Sequence, residues 1–168
     1  MHLKFVWTDG TNRDFINFSK DMESYYNTLA GGQKNRESFV PYNALADIHN
    51  AVVVYCDGKP IACAGFREHG AGAAEIKRVW VCKEYRGNGI SKTMMRMLEI
   101  RAGEKGYQEL ILQTREACRA ACALYRSIGY ARINNYPPYD GMKSAVCFGK
   151  RIETNIGQPE DWLTNRER

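Results

Sequence analysis

The passage from Val79 to Ser91 sets the tightest condition on how this chain folds. An apolar run, Val79-Trp80-Val81, leads through Tyr85-Arg86-Gly87-Asn88-Gly89-Ile90-Ser91 into SKTMMRMLEIRAGEK, a run of strong helix formers. Glycine tolerates backbone angles that other residues resist, so the junction can be a plain turn. It can also be an anion cradle. A strand that ends in a glycine-bearing loop and enters a helix points several free N–H groups, and the positive end of the helix dipole, at one place.

The flanking pattern supplies the rest of a single domain. His2 to Trp7 reads as a first strand, and Thr11 with Asp14 as a capping pair for a helix carrying Phe15, Phe18, Met22, Tyr25, Tyr26 and Leu29 until Gly31-Gly32. That spacing predicts a core-facing stripe. Pro41 to His49 reads as a short helix or turn. AVVVYC and IACAGFRE flank Asp57-Gly58, a hairpin signal, and AAEIKRVWV is the next strand. Ile90, Met94, Met97 and Leu98 mark a helix that ends near Gly103 to Gly106, and YQELILQT a buried strand. Ala117, Ala121, Leu124 and Ile128 stripe a further helix closed by Gly129. Strands at Tyr130 to Ile133 and Ser144 to Ile152 flank the loop NNYPPYDG. The expectation is a body over residues 1–152 and a polar tail over 153–168, ordered as a short helix from Pro159 or mobile. The class is α/β (α+β): a mixed sheet with helices on its faces.

Composition narrows the function. At 168 residues with 44% hydrophobic content the chain can build one good core. No apolar stretch approaches the roughly 18 residues of a membrane helix, and MHLKFVWTDG lacks the features of a signal peptide, so a cytoplasmic location without a membrane is expected. The six cysteines show no CxxC pairing and lie mostly in apolar segments, which reads as buried free thiols. His2, His49 and His69 are scattered, so no metal is implied. The net charge of +5 is concentrated: Arg86 to Arg132 holds nine basic residues against four acidic ones. Solvated helix faces, a nucleic acid or a phosphorylated cofactor would each account for it.

Two common phosphate loops fail at the junction. A dinucleotide fingerprint needs a small residue where Lys92 stands and an acid at the end of the next strand, whereas Glu109 begins it; a P-loop needs a glycine where Arg86 stands. A third fits. Arg86-Gly87-Asn88-Gly89-Ile90-Ser91 resembles the [RQ]-x-x-G-x-[GA] loop of the GNAT superfamily of acyl-CoA-dependent N-acetyltransferases, with Ser91 in place of the usual glycine or alanine. AEIKRVWV resembles that family's fourth strand, and ACALYRSIGY its A-x-x-L-Y-x-x-x-G-[FY] segment. The similar region runs from about Val52 to Arg151.

The resemblance implies a GNAT-like fold, with a mostly antiparallel sheet of about six or seven strands flanked by about four helices. It implies acetyl-CoA as co-substrate, without a metal, and transfer to a primary amine of a small molecule or peptide. Arg86, Gly87, Asn88, Gly89, Ile90 and Ser91 would hold the pyrophosphate. Val79, Trp80 and Val81 would present strand backbone to the pantetheine arm, and Cys118 stands where an asparagine often contacts the cofactor. Glu75 would accept the amine's proton, directly or through water, and Tyr125 would supply one to the departing thiolate. Tyr136 and Tyr139, in the proline loop, are candidates for lining the acceptor site.

The Cys118/Cys122 pair lacks a neighbouring histidine and makes a poor nucleophile. A non-catalytic acyl-CoA sensor and a basic nucleic-acid module are the alternatives. The second is disfavoured because the aromatics fall at core spacings, so no nucleic acid is expected. The oligomeric state is monomer or homodimer.

Overall fold

The computed structural model describes residues 1–32 and 43–153. Seven strands, β1 (Leu3–Thr8), β2 (Asn50–Cys56), β3 (Lys59–Glu68), β4 (Ala73–Val81), β5 (Glu109–Arg115), β6 (Ala131–Ile133) and β7 (Ala145–Arg151), form one sheet in the order β1-β2-β3-β4-β5-β7-β6. Three α-helices are present among the described residues: α1 (Arg13–Leu29), α2 (Ile90–Glu104) and α3 (Arg119–Ser127). The expected strands and their order are borne out. No fourth α-helix is present among the described residues: Asn43 is in a 3-10 turn and 44–49 hold a bend and a turn, within the helix-or-turn expectation, while Pro41, Tyr42 and the tail from 154 lie outside the described residues.

Every neighbouring pair of strands is antiparallel except β4 and β5. The Asp57-Gly58 turn joins β2 to β3 with both residues at positive φ (49° and 83°), the geometry of a two-residue hairpin whose twist matches the strands. In β2, Ala51 and Val53 pack towards Phe15, Phe18 and Met22 of α1, while Val52 and Val54 share a cluster with Met94, Leu98 and Ala102 of α2. Alternate residues of one strand therefore fill two cores. That is why VVV reads as a continuous apolar run.

Two local assignments need correction. Asn12, not Thr11, caps α1: its Oδ1 accepts from the backbone N–H groups of Asp14 and Phe15 at 2.9 and 3.0 Å. Thr11 is engaged by the Asp9 carboxylate through both N–H and hydroxyl, which leaves the next residue to close the helix. The α1 stripe is also only half core. Phe15, Phe18 and Met22 are buried, but Tyr25 and Leu29 are 44% and 39% exposed.

Gly10 fastens β1 to the turn before β2. Its N–H donates to the Ile48 carbonyl at 2.8 Å, and a Cβ added there would collide with the Leu45 carbonyl. Backbone cannot yield as a side-chain tip can. Gly10→Ala is expected to cost about 2–3 kcal/mol of stability, read as a lowered urea midpoint at unchanged slope.

Candidate active site

The parallel pairing of β4 with β5 covers only three positions, Ala73 with Glu109, Ala74 with Leu110 and Glu75 with Ile111. Beyond them the two strands diverge. The register between β3 and β4 slips by one residue at the same level, and Arg78 takes the left-handed conformation (φ 60°), so β4 bulges as it parts from β5. A cleft of about 560 Å³ fills the gap, lined on one side by Ile76 to Val81 and on the other by Leu112 to Arg115. Its floor is two strands without a ladder between them. The backbone donors and acceptors that neighbouring strands would have used therefore face the cleft.

Helix starts border this space. Ser91 at the N-terminus of α2 and Cys118, Arg119, Ala120 and Ala121 at that of α3 all line the cleft. Neither helix has a side-chain cap, unlike α1. The cap position of α2 is Gly89 in the left-handed conformation (φ 74°), preceded by Gly87 at φ 80°. Both N-termini thus keep unpaired N–H groups and the positive end of a dipole beside the cleft. Arg86 holds the loop: its Nε donates to the Val81 carbonyl at 2.9 Å and its guanidinium lies 5.2 Å from the Trp80 ring centre. The Asn88 amide closes the loop further, donating to the Tyr85 and Arg86 carbonyls. The Ile90 side chain is buried in the core, so only its backbone is available to a ligand.

The lining is basic. Lys77, Arg78, Arg86, Arg115 and Arg119 contribute, and no Asp or Glu among the described residues does. Part of the charge concentrated between Arg86 and Arg132 therefore faces this space, which favours a phosphorylated occupant over plain solvated faces. Val79, Trp80, Val81, Cys118 and Tyr125 all line the cleft. Burial raises the Tyr125 hydroxyl well above the usual phenol range and keeps it protonated. Burial also raises the Cys122 thiol, which disfavours its thiolate.

Glu75 lies deeper. It is fully buried and outside the cleft lining, with Arg67 Nε and Nη2 at 2.9 and 2.8 Å from Oε1 and the Tyr136 hydroxyl donating to Oε2 at 2.7 Å. Burial, and next the Glu75 charge, push the Tyr136 hydroxyl far up, so it stays a donor. Tyr139 is 1% exposed and accepts a hydrogen bond from Lys77 Nζ at 3.0 Å. Of the two loop tyrosines, Tyr139 is therefore an interior contact behind Lys77, and neither belongs to the lining of the cleft.

Sequence reasoning missed Lys77, Arg78, Tyr25 and Tyr26, all of which line it. Tyr25 and Tyr26 were assigned to packing because their spacing continues the core stripe of α1. Only the bulge, which no spacing rule reveals, turns Arg78 to Glu23 (2.9 Å) and to the Asn43 carbonyl (2.9 Å) across the cleft.

A model of the Acetyltransferase (GNAT) family matches residues 16–130. The chain belongs to this family. Among curated relatives, N-acetyltransferase family 8 member 2 of Rattus norvegicus is 27% identical over 78 residues, covering 45% of this chain and 34% of that protein. The chain matches about a third of the length of such relatives. A GNAT-family acetyltransferase from Staphylococcus aureus superposes with a TM-score of 0.69 at 14% identity, over 90% of this chain and 100% of that one. PaiA N-acetyltransferase from Thermoplasma acidophilum, solved in complex with coenzyme A, gives 0.66 at 16% identity over 90% and 99%. These likenesses show the GNAT fold. No helix among the described residues of this GNAT protein is long and apolar enough to cross a membrane.

Proposed function

We propose that the chain transfers an acetyl group from acetyl-CoA to a primary amine by direct attack within a ternary complex. One observation carries the reading: β4 and β5 part after three pairs, and the opening between them is bordered by two uncapped helix N-termini. The first provides strand backbone for an extended, amide-bearing arm, at Val79 and Val81 by family likeness. The second, with the Arg86 to Ser91 loop, provides for pyrophosphate.

In this reading a β4 N–H stabilises the oxyanion as the amine attacks the thioester carbon. The amine's lone pair forms the C–N bond, the C–S bond breaks, and Tyr125 donates to the sulfur as charge grows on it. Because burial disfavours the phenolate, that donor is present throughout the neutral range. Glu75, the expected proton acceptor, lies outside the cleft lining and accepts from Arg67 at Oε1 and Tyr136 at Oε2, and losing those donors would leave a buried ion unpaired. Its part is to hold Arg67 and Tyr136 in place on the acceptor side.

Calorimetry with coenzyme A tests the donor half: a saturable heat is expected, and none at millimolar ligand with folded protein would sink the reading. Release of free thiol from acetyl-CoA tests the acceptor half, against an amino acid, spermidine, an aminoglycoside and a short peptide with a free N-terminus. Binding without thiol release from any of these would favour an acyl-CoA sensor.

A further inference from the structure

Lys77 is an interior cation that shares its carboxylate, Glu75, with Arg67. It sits on β4 two residues past the last pairing with β5, where the cleft opens, and it lines that cleft although its side chain is only 8% exposed. Its ammonium donates to the Tyr139 hydroxyl at 3.0 Å. The nearest carboxylate, Glu75, is 3.8 Å away and already held at under 3 Å by Arg67.

The groups facing Lys77 come from four elements: Glu75 and Arg78 on β4, Arg67 on β3, Asp47 in the turn before β2, and Tyr139 in the loop between β6 and β7. Asp47 is itself 3.2 Å from Arg67. Two guanidinium groups therefore offset the two carboxylates around this amine. A lysine placed so is poorly hydrated, and the carboxylate nearest its charge, Glu75 at 3.8 Å, is shared with Arg67, so it gives up its proton more readily than an exposed lysine.

We propose that Lys77, in its neutral form, is the group that takes the proton from the incoming amine. The inference rests on the acetyl-transfer reading above. An alkyl ammonium cannot attack a carbonyl until it sheds a proton, and at pH 7 only about one in a few thousand such amines is neutral. The proton passes from the acceptor ammonium to Nζ of Lys77. The freed lone pair forms the C–N bond, the C–S bond breaks, and the second proton on nitrogen goes to the sulfur by way of Tyr125. Lys77 then returns its proton to water.

The energetics agree with the placement. Burial pulls the Lys77 amine down to about 8, with Arg67 and Arg78 adding to the effect and Glu75 opposing it. At neutral pH a useful fraction is already unprotonated, whereas an ordinary lysine would be almost wholly charged. The base here is thus close to the operating pH, and the acid Glu75 supplies the field that keeps it from falling further.

Three variants and one resonance test it. In carbon-13 titration of the lysine ε-carbons, one resonance absent from Lys77→Met is expected to titrate near 8. With whichever amine of the panel is turned over, wild-type kcat is expected to rise with pH and level off above about 8. Lys77→Met, an apolar side chain of similar length, is expected to fold, bind coenzyme A as the wild type does, lose about 100-fold in kcat and lose that limb. Lys77→Arg, which keeps the charge but cannot deprotonate, is expected to be as inactive, whereas a merely electrostatic role would be rescued by it.

Glu75→Gln separates the two candidate bases. Removing the charge that supports the Lys77 ammonium is expected to move the limb to lower pH. A move to higher pH, or loss of the limb with Lys77→Met unaffected, would return the role to Glu75 and overturn the proposal. So would full activity in Lys77→Arg. If the wild type turns over no amine of the panel while binding coenzyme A, the acetyl-transfer reading fails and the base assignment falls with it. An active wild type whose profile is indifferent to Lys77 overturns the base assignment alone.

Discussion

Replacing Gly89 with valine is expected to weaken coenzyme A binding about 30-fold in a protein that still folds. Gly89 caps α2 at φ 74°, in the region where a side-chain-bearing residue loses about 1–2 kcal/mol and a β-branched one more. The backbone can escape that strain only by turning at the helix entrance. Doing so re-aims the N–H groups that the open cap leaves free for phosphate. Calorimetry on wild type and variant reads the change directly, with circular dichroism as the control for helix content. Gly89→Ala, which strains the same angle less, is expected to fall between them. Equal affinity in a folded Gly89→Val protein would place the phosphates elsewhere and reduce the two glycines to a bend.

Tyr125→Phe is expected to lower kcat about 100-fold while leaving coenzyme A affinity within about a factor of two. The substitution removes one oxygen from a buried ring packed near Tyr130 and Phe148 and should leave the fold in place. Since burial disfavours the ionised phenol, wild-type activity should show no falling limb from Tyr125 up to pH 10. Unchanged turnover in the phenylalanine variant would remove the hydroxyl from the reaction.

Much of the framework was legible from local rules. Apolar alternation, the Asp57-Gly58 turn and the glycine-closed helices are encoded within a few residues each, and their order implied the layered sheet. The elements proposed for the cofactor were legible for the same reason, since they are a contiguous loop and one strand. The acceptor side was not. Its charges come from β3, β4 and the turn at Asp47, and their balance depends on distances between segments remote in sequence. The base role of Glu75 came from family likeness, and its contacts with Arg67, eight residues earlier, and with Tyr136 are not readable from spacing. Lys77, two residues along the same strand, is buried, which the residue type alone does not reveal. Thr11 and Asn12 differ by one position, a choice settled by where Asp9 points.

Three paired positions hold the two halves of the sheet together between β4 and β5. The opening therefore has the shape of a wedge whose apex closes to the ordinary strand spacing of about 4.8 Å. Room in the cleft therefore falls away along β4 from Val81, at the open end, towards Glu75, at the last paired position.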